Sequence, residues 1–513
     1  PKMSRAAAAL HAEESAQRQA LAALGFSDGR EAQGVLAALS QSVGGPFSQH
    51  APERLRQLAA PLLSDMAKSP DPDQALRLFA DLDRSLRRHP GYYRLLAQAP
   101  PLRHRLIDLL GASEFLGRAI LNFPELVDWL SAARDPGAHA ERAPTEMCQE
   151  VDARLAKLDD LELRLRSLCR FKLQEQLRVG VLDLAFALPT EAVLGQLCAV
   201  AEACLGAALG LAREALADRL EAPVESGFAV LGMGRFGGRE MGYGSDLDLL
   251  FIYDDTAAAG PSPKDAVRLA QRLIQMLTLR MSEGVLYPID TRLRPSGAQG
   301  PLVSSATGFC TYHRERAMLW ERQALLRARP VAGDLAFGAR VLDSLADVRY
   351  PVALPPGAGL EIHRVRRRME RELAREAGAR SNLKTGRGGL VDLEFAIQYL
   401  QLAHAHAHPS LRTPETVSAL GALMDLGLVP PRRGRQLLAA YRFLRFLENR
   451  LRVVEDRPIA AVDFEGPRIG QLARRMGYGQ RAPAVLALRR DYARVTQRVR
   501  RFYNAVLTPP AEA

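Results

Sequence analysis

Residues 227–255 read GFAVLGMGRFGGREMGYGSDLDLLFIYDD, and this stretch decides the fold class. Phe228–Leu231 and Leu247–Tyr253 are short apolar runs bounded by glycines or aspartates, which is the pattern of strands. Asp246 and Asp248 stand two apart at the mouth of the second run. Side chains alternate along a strand, so both carboxylates share one face while Leu247 and Leu249 take the other. Carboxylates held this close repel unless a cation neutralises them, and ligation by oxygen alone suits Mg²⁺, with Mn²⁺ as the alternative. A third strand is expected at Val285–Leu293, where Asp290 precedes Arg292 and Arg294. If it pairs with the second strand, Asp290 completes a three-carboxylate platform. Such a platform holds two metals about 4 Å apart for in-line phosphoryl displacement.

The glycines fit this picture. Gly232, Gly234, Gly237, Gly238, Gly242 and Gly244 let backbone amides approach a triphosphate closely. Gly244 and Ser245, just before the carboxylates, present an amide and a hydroxyl to a phosphate. Gly232 to Gly237 also match GxGxxG, the dinucleotide-binding fingerprint, with Asp254 twenty residues after Gly234. That fold needs a crossover of about a dozen residues between its strands. Only Gly238 to Ser245 separate the last glycine from Asp246, so the dinucleotide assignment is rejected. A DxD alone would be read as turn chemistry at a strand entrance. The glycine-rich turn upstream and a third strand-borne aspartate make the pattern far more specific.

Around this centre the chain reads as helical, giving an α+β, mostly helical class with one small mixed sheet. At 513 residues it exceeds one ordinary core. The expected divisions are a helical region over 1–150, a catalytic domain over 151–350 with its sheet at about 225–345, and a helical bundle over 360–510. Before the sheet, Ser69–Asp73 is a loop opening a helix with Leu76, Leu78, Phe79, Leu82 and Leu86 on its apolar face. Asp135–Glu146 is a candidate boundary, and a long helical region is expected from about Glu150 to Leu220. An amphipathic helix is expected from Lys264 to Met281, and a linker at Pro351–Gly359.

Composition narrows the function class. Lys and Arg outnumber Asp and Glu by 69 to 58, but Arg and Glu alternate through the helices, so the charge reads as solvated faces and no nucleic-acid partner is expected. Five cysteines without CxxC spacing argue against structural zinc and disulfides. No run approaches the roughly 20 uncharged residues of a membrane span, and the expected setting is the cytoplasm without membrane attachment. Pro1-Lys2-Met3 is not a native translation start, which suggests a piece of a longer polypeptide.

The long motifs carry a resemblance. GMGRFGGREMGYGSDLDLLFIYDD, LYPIDTRLRPSGAQGPLVSS, ERQALLRARPVAGD and GRGGLVDLEFAIQYL resemble the bacterial glutamine synthetase adenylyltransferase family across most of residues 227–457. Those bifunctional enzymes join two related nucleotidyltransferase halves, one adding AMP to a tyrosine of glutamine synthetase and one removing it by phosphorolysis. GYGSDLDL, LYPIDTRLRPSG and RQALLRAR look more like the C-terminal, adenylylating half; FLRFLENRLR at 443–452 looks like either. The resemblance implies a polymerase-β-like nucleotidyltransferase domain flanked by helical domains. It also implies ATP as substrate, glutamine synthetase as protein substrate, and the PII signal protein and glutamine as effectors. Asp246, Asp248 and Asp290 match the family's metal-binding carboxylates. For Arg292 and Arg294, phosphate contact and a structural salt bridge stand level. Lys384, just before the glycine-rich turn 386–389, and Arg387 within it are candidates to reach the nucleotide. An adenylyl-removing phosphorylase and a non-catalytic regulatory module are the alternative functions.

Other clusters read as structural. Asp392 and Glu394 suit a helix start. His404, His406 and His408 read as a solvated helix end, and Arg364, Arg366, Arg367, Arg368 and Arg371 as a solvated stripe.

Overall fold

The computed structural model describes residues 2–87, 91–122, 127, 130, 141–221, 224–257, 260–455, 460–479 and 483–508. Helices dominate, and a mixed sheet sits among them. Its strands are β1 (Phe228–Gly232), β2 (Leu247–Tyr253), β3 (Ile289–Asp290), β4 (Val303–Ser305) and β5 (Arg329–Gly333). β1 runs antiparallel to both β2 and β5, while β3 and β4 pair with β2 in parallel. An antiparallel β1–β2 pair leaves no place for a βαβ crossover. The GxGxxG glycines instead lead into a single helical turn, Gly234–Gly237.

Strand alternation sorts the sheet's side chains onto two cores. Phe228, Val230, Leu247, Leu249 and Phe251 join the largest apolar cluster, which extends into the N-terminal helices. Ala229, Leu231, Leu250 and Ile252 face a smaller one with Phe309, Phe337 and Val341. Burial on both faces explains why β1 and β2 read as unbroken apolar runs.

The third strand needs a correction. Of the expected Val285–Leu293, only Ile289–Asp290 pair with β2; Gly284–Val285 pair with Arg280–Met281 in a separate ribbon. Pro288 has no N–H for a ladder, and its carbonyl instead accepts the Leu247 N–H at 2.9 Å. Beyond Asp290 the chain turns, its carboxylate accepting the Arg292 N–H at 2.8 Å. β4 and β5 were not anticipated. β5 carries Pro330 and lies at the sheet's edge, where a missing N–H is tolerated.

The helical region expected from Glu150 to Leu220 is broken. After a helix at Pro144–Leu155 come α1 (Leu161–Phe186) and α2 (Thr190–Leu216). Asp160 caps α1 by accepting the Leu163 N–H, and Ala187, at φ 52°, ends it ahead of Pro189. α2 and its extension to Arg219 are long and apolar enough, by length and composition, to cross a membrane. Most of it is buried, because α1, Pro144–Leu155, α3 (Pro263–Thr278) and β5 pack around it. Asp71 caps the N-terminal helix Pro72–Leu86 as its loop suggested. Of the boundary expected at Asp135–Glu146, residues 135–140 lie outside the described residues.

Beyond the linker, α4 (Ala358–Leu373), α5 (Leu390–His404), α6 (Pro431–Glu455) and α7 (Pro483–Leu507) enclose a second core around Ile362, Leu393, Leu444 and Val499. A short ribbon, Arg380–Asn382 with Ala461–Asp463, interrupts the helices. α6 belongs to both cores: Val453 packs in the first, and its carbonyl accepts the Ser113 hydroxyl at 2.7 Å.

Candidate active site

The parallel register of β2 and β3 places Asp248 directly beside Asp290. One oxygen each from Asp246, Asp248 and Asp290 lies within 4.8 Å of the other two. Three carboxylate oxygens converging without a cation repel one another. An all-oxygen donor set of this kind fits a hard divalent ion such as Mg²⁺ or Mn²⁺. Among the described residues His404, His406 and His408 form no such group.

The carboxylates differ electrostatically. Burial, reinforced by Asp246 and Asp290 and opposed by Lys384 and Arg235, raises the Asp248 carboxyl to about 7. Hydrogen bonds from Arg292 have the opposite effect on Asp290, holding it below the usual carboxylate range. Gly234, at φ 52°, is what lets the backbone close on Asp248. A Cβ at that position would lie 2.3 Å from Asp248 Oδ2.

The other expected residues divide by geometry. Gly244, at φ 61°, is exposed at the turn before the carboxylates. Ser245 is buried, and its Oγ accepts from the Gly242 N–H at 3.2 Å and Arg452 Nη1 at 3.1 Å. Arg292 forks onto Asp290, its Nε 2.9 Å and Nη2 2.5 Å from Oδ2. Arg294 spends its donors on its own loop, at the Thr291, Ala298 and Gly300 carbonyls and the Thr291 hydroxyl. Lys384 comes from the helical region yet lies in the field of Asp248. The nearby guanidinium of Arg235 lowers its ammonium. Arg387 is exposed on the same turn.

Several residues at the site were not anticipated. Arg366, expected on a solvated stripe, is fully buried. It pairs with Asp392 at 2.6 Å and donates to the Thr385 and Gly386 carbonyls, bracing the turn that carries Lys384. Asp392 in turn accepts the Gly388 N–H at 2.7 Å and pairs with Arg500. Arg235 meets fully buried Glu448 of α6 at 2.8 Å. FLRFLENRLR held that signal, since Arg445, Glu448, Asn449 and Arg452 recur at three- and four-residue spacing on one helix face.

A DxD at a strand mouth, answered by a carboxylate on the parallel neighbour, is an arrangement suited to two-metal phosphoryl chemistry, the chemistry of nucleotidyl transfer. Residues 103–344 match the glutamate-ammonia ligase adenylyltransferase family. Residues 362–507 match a second family, GlnD PII-uridylyltransferase. The chain is 36% identical over 455 residues to a bifunctional glutamine synthetase adenylyltransferase/adenylyl-removing enzyme of Nitrosococcus oceani, covering 84% of this chain and 46% of that protein. A protein of the same name from Leifsonia xyli is 34% identical over 503 residues, 97% of this chain and 48% of its own. The chain therefore spans about half the length of the curated relatives it matches.

Proposed function

We propose that this chain transfers AMP from ATP to a tyrosine of glutamine synthetase, as the adenylylating half of a longer bifunctional enzyme, and so regulates nitrogen assimilation. The observation that carries the reading is the convergence of Asp246, Asp248 and Asp290 within a segment matching the adenylyltransferase family. The tyrosine oxygen attacks the α-phosphorus, the bond to the bridging oxygen of the β-phosphate breaks, and pyrophosphate leaves with that electron pair. Divalent ions at the carboxylates would supply Lewis-acid stabilisation of the phosphoryl oxygens and of the attacking oxygen. Asp248 on β2 and Asp246 just before it hold the position, and Asp290, steadied by Arg292, closes it from β3. Asp290 is assigned to the nucleophile side, where the tyrosine proton is lost. Gly234, Gly244 and Ser245 shape the phosphate side, and Lys384 offers positive charge to the leaving group. Arg387 is placed at the rim, and Arg294 keeps the 291–300 loop in shape.

In this proposal residues 151–350 form the catalytic domain, with helical domains at 1–150 and 360–510. PII and glutamine are proposed as effectors, since residues 362–507 match a PII-uridylyltransferase family. The setting proposed is the cytoplasm.

The test is transfer of label from α-labelled ATP to purified glutamine synthetase with Mg²⁺, beside Asp246→Asn/Asp248→Asn. Label with the native chain alone supports the proposal. Release of ADP from adenylylated target in phosphate, without labelling, would assign the removing activity instead. Silence in both directions would leave a regulatory module.

Gly234→Ala probes the close approach to Asp248. The methyl must displace that carboxylate, and a shift of about 1 Å in a reacting constellation costs roughly 100-fold in rate. A transfer rate within a few-fold of native would show that the site absorbs the methyl.

A further inference from the structure

Ser245 immediately precedes the first carboxylate, and the protein side of its hydroxyl is fully used. A serine oxygen offers two lone pairs and one hydrogen. The Gly242 N–H takes one lone pair at 3.2 Å and Arg452 Nη1 the other at 3.1 Å. What remains is the hydrogen, available to donate toward the site.

Arg452 reaches this hydroxyl from α6 and grips the loop twice, Nη1 also donating to the Tyr243 carbonyl at 3.0 Å. Its Nη2 lies 3.1 Å from Glu448. Glu448 also holds Arg235 at 2.8 Å and Arg445 at 3.0 Å, and Arg445 donates to the Glu240 carbonyl. At Gly242 the fit is so close that a Cβ would lie 2.7 Å from Asn449 Oδ1. One face of α6 is thus moulded against the loop from Arg235 to Ser245.

We propose that Arg452 is a positioning residue for the nucleotide: by filling a lone pair of Ser245 it aims that hydroxyl's hydrogen at a phosphate oxygen of the bound triphosphate. The inference rests on the nucleotidyltransferase reading of the carboxylates, but concerns how the triphosphate is held and not which protein accepts AMP. It makes the helical region part of the nucleotide site, through a residue 207 positions beyond Ser245. Arg452→Gln is a tolerable probe, since Glu448 keeps the guanidiniums of Arg235 and Arg445.

The experiment is calorimetric binding of a non-hydrolysable ATP analogue with Mg²⁺ to the full chain and four variants. Ser245→Ala and Arg452→Gln are each expected to weaken binding about tenfold, the worth of one hydrogen bond to a charged group. The double variant should be no weaker than Arg452→Gln by more than about twofold, because that change already disables the Ser245 contact along with the Tyr243 grip. Arg103→Gln breaks a buried pair with Asp65 in the N-terminal helices and reports general destabilisation; its melting point should fall with binding unchanged. Native affinity in Arg452→Gln, losses that multiply in the double variant, or equal weakening by Arg103→Gln would overturn the proposal. A native chain that binds the analogue yet labels no glutamine synthetase would remove the acceptor assignment and leave this inference standing. A native chain that binds no analogue would remove both.

Discussion

Asp248→Asn in the full chain is expected to lower AMP transfer by about 1000-fold or more, the scale on which a preorganised charge acts in a transition state. The same change should raise the melting temperature of the metal-free protein above pH 7. In the unfolded chain this carboxyl ionises at its ordinary value of 3.8, whereas burial and the neighbouring carboxylates raise it to about 7 in the fold. Between those values the folded protein keeps a proton that the unfolded chain has lost, so stability falls as pH rises through the window. Asparagine stays neutral and escapes that loss. Added Mg²⁺ should offset it in the native chain, raising the melting point more at pH 8 than at pH 6. The increment should be largely lost in the variant. Thermal unfolding with and without Mg²⁺ checks all of this. A pH-independent metal response would show that Asp248 does not carry the proton.

Glu448→Ala should be the most destabilising single change near the site, costing about 3–5 kcal/mol because it strips the partner from buried cations. Burial alone would raise the Glu448 carboxyl. The guanidiniums of Arg235, Arg452 and Arg445 outweigh it and hold it well below the ordinary range. A carboxylate so depressed contributes its full stability at neutral pH and loses it only below its unfolded value of 4.5. By contrast, Arg368 and Glu372 make a 2.9 Å pair with side chains 73% and 58% exposed. Arg368→Ala should therefore cost less than about 1 kcal/mol. Denaturant unfolding of both variants tests the contrast, and equal losses would mean that burial does not govern these pairs.

The parts of the site legible in the sequence were those set by local pattern. Alternation along β2 put Asp246 and Asp248 on one face, and the in-register pairing of Asp248 with Asp290 followed once the strands met. The length of the expected third strand was misjudged because apolar residues run on either side of Pro288, while backbone pairing does not. Arg366 was hidden by the glutamates around it. Yet Ala358, Ile362 and Arg366 lie four apart on the buried face of α4, a spacing that marks a core position. Helical spacing marks Arg452 as part of a polar face, but its grip on Ser245 joins residues 207 apart whose nearness exists only in the fold.

That separation has a consequence in time. Chains emerge from the ribosome at about 5–20 residues per second, and early segments fold first. All five sheet strands and all three acids have been made by Gly333, while Arg445, Glu448 and Arg452 are still to come. On the order of ten seconds of translation separate the two events. Throughout that interval the nascent protein carries its acids without the helix that shapes the loop beside them. The loop beside the acids is thus shaped by residues made well after the acids themselves.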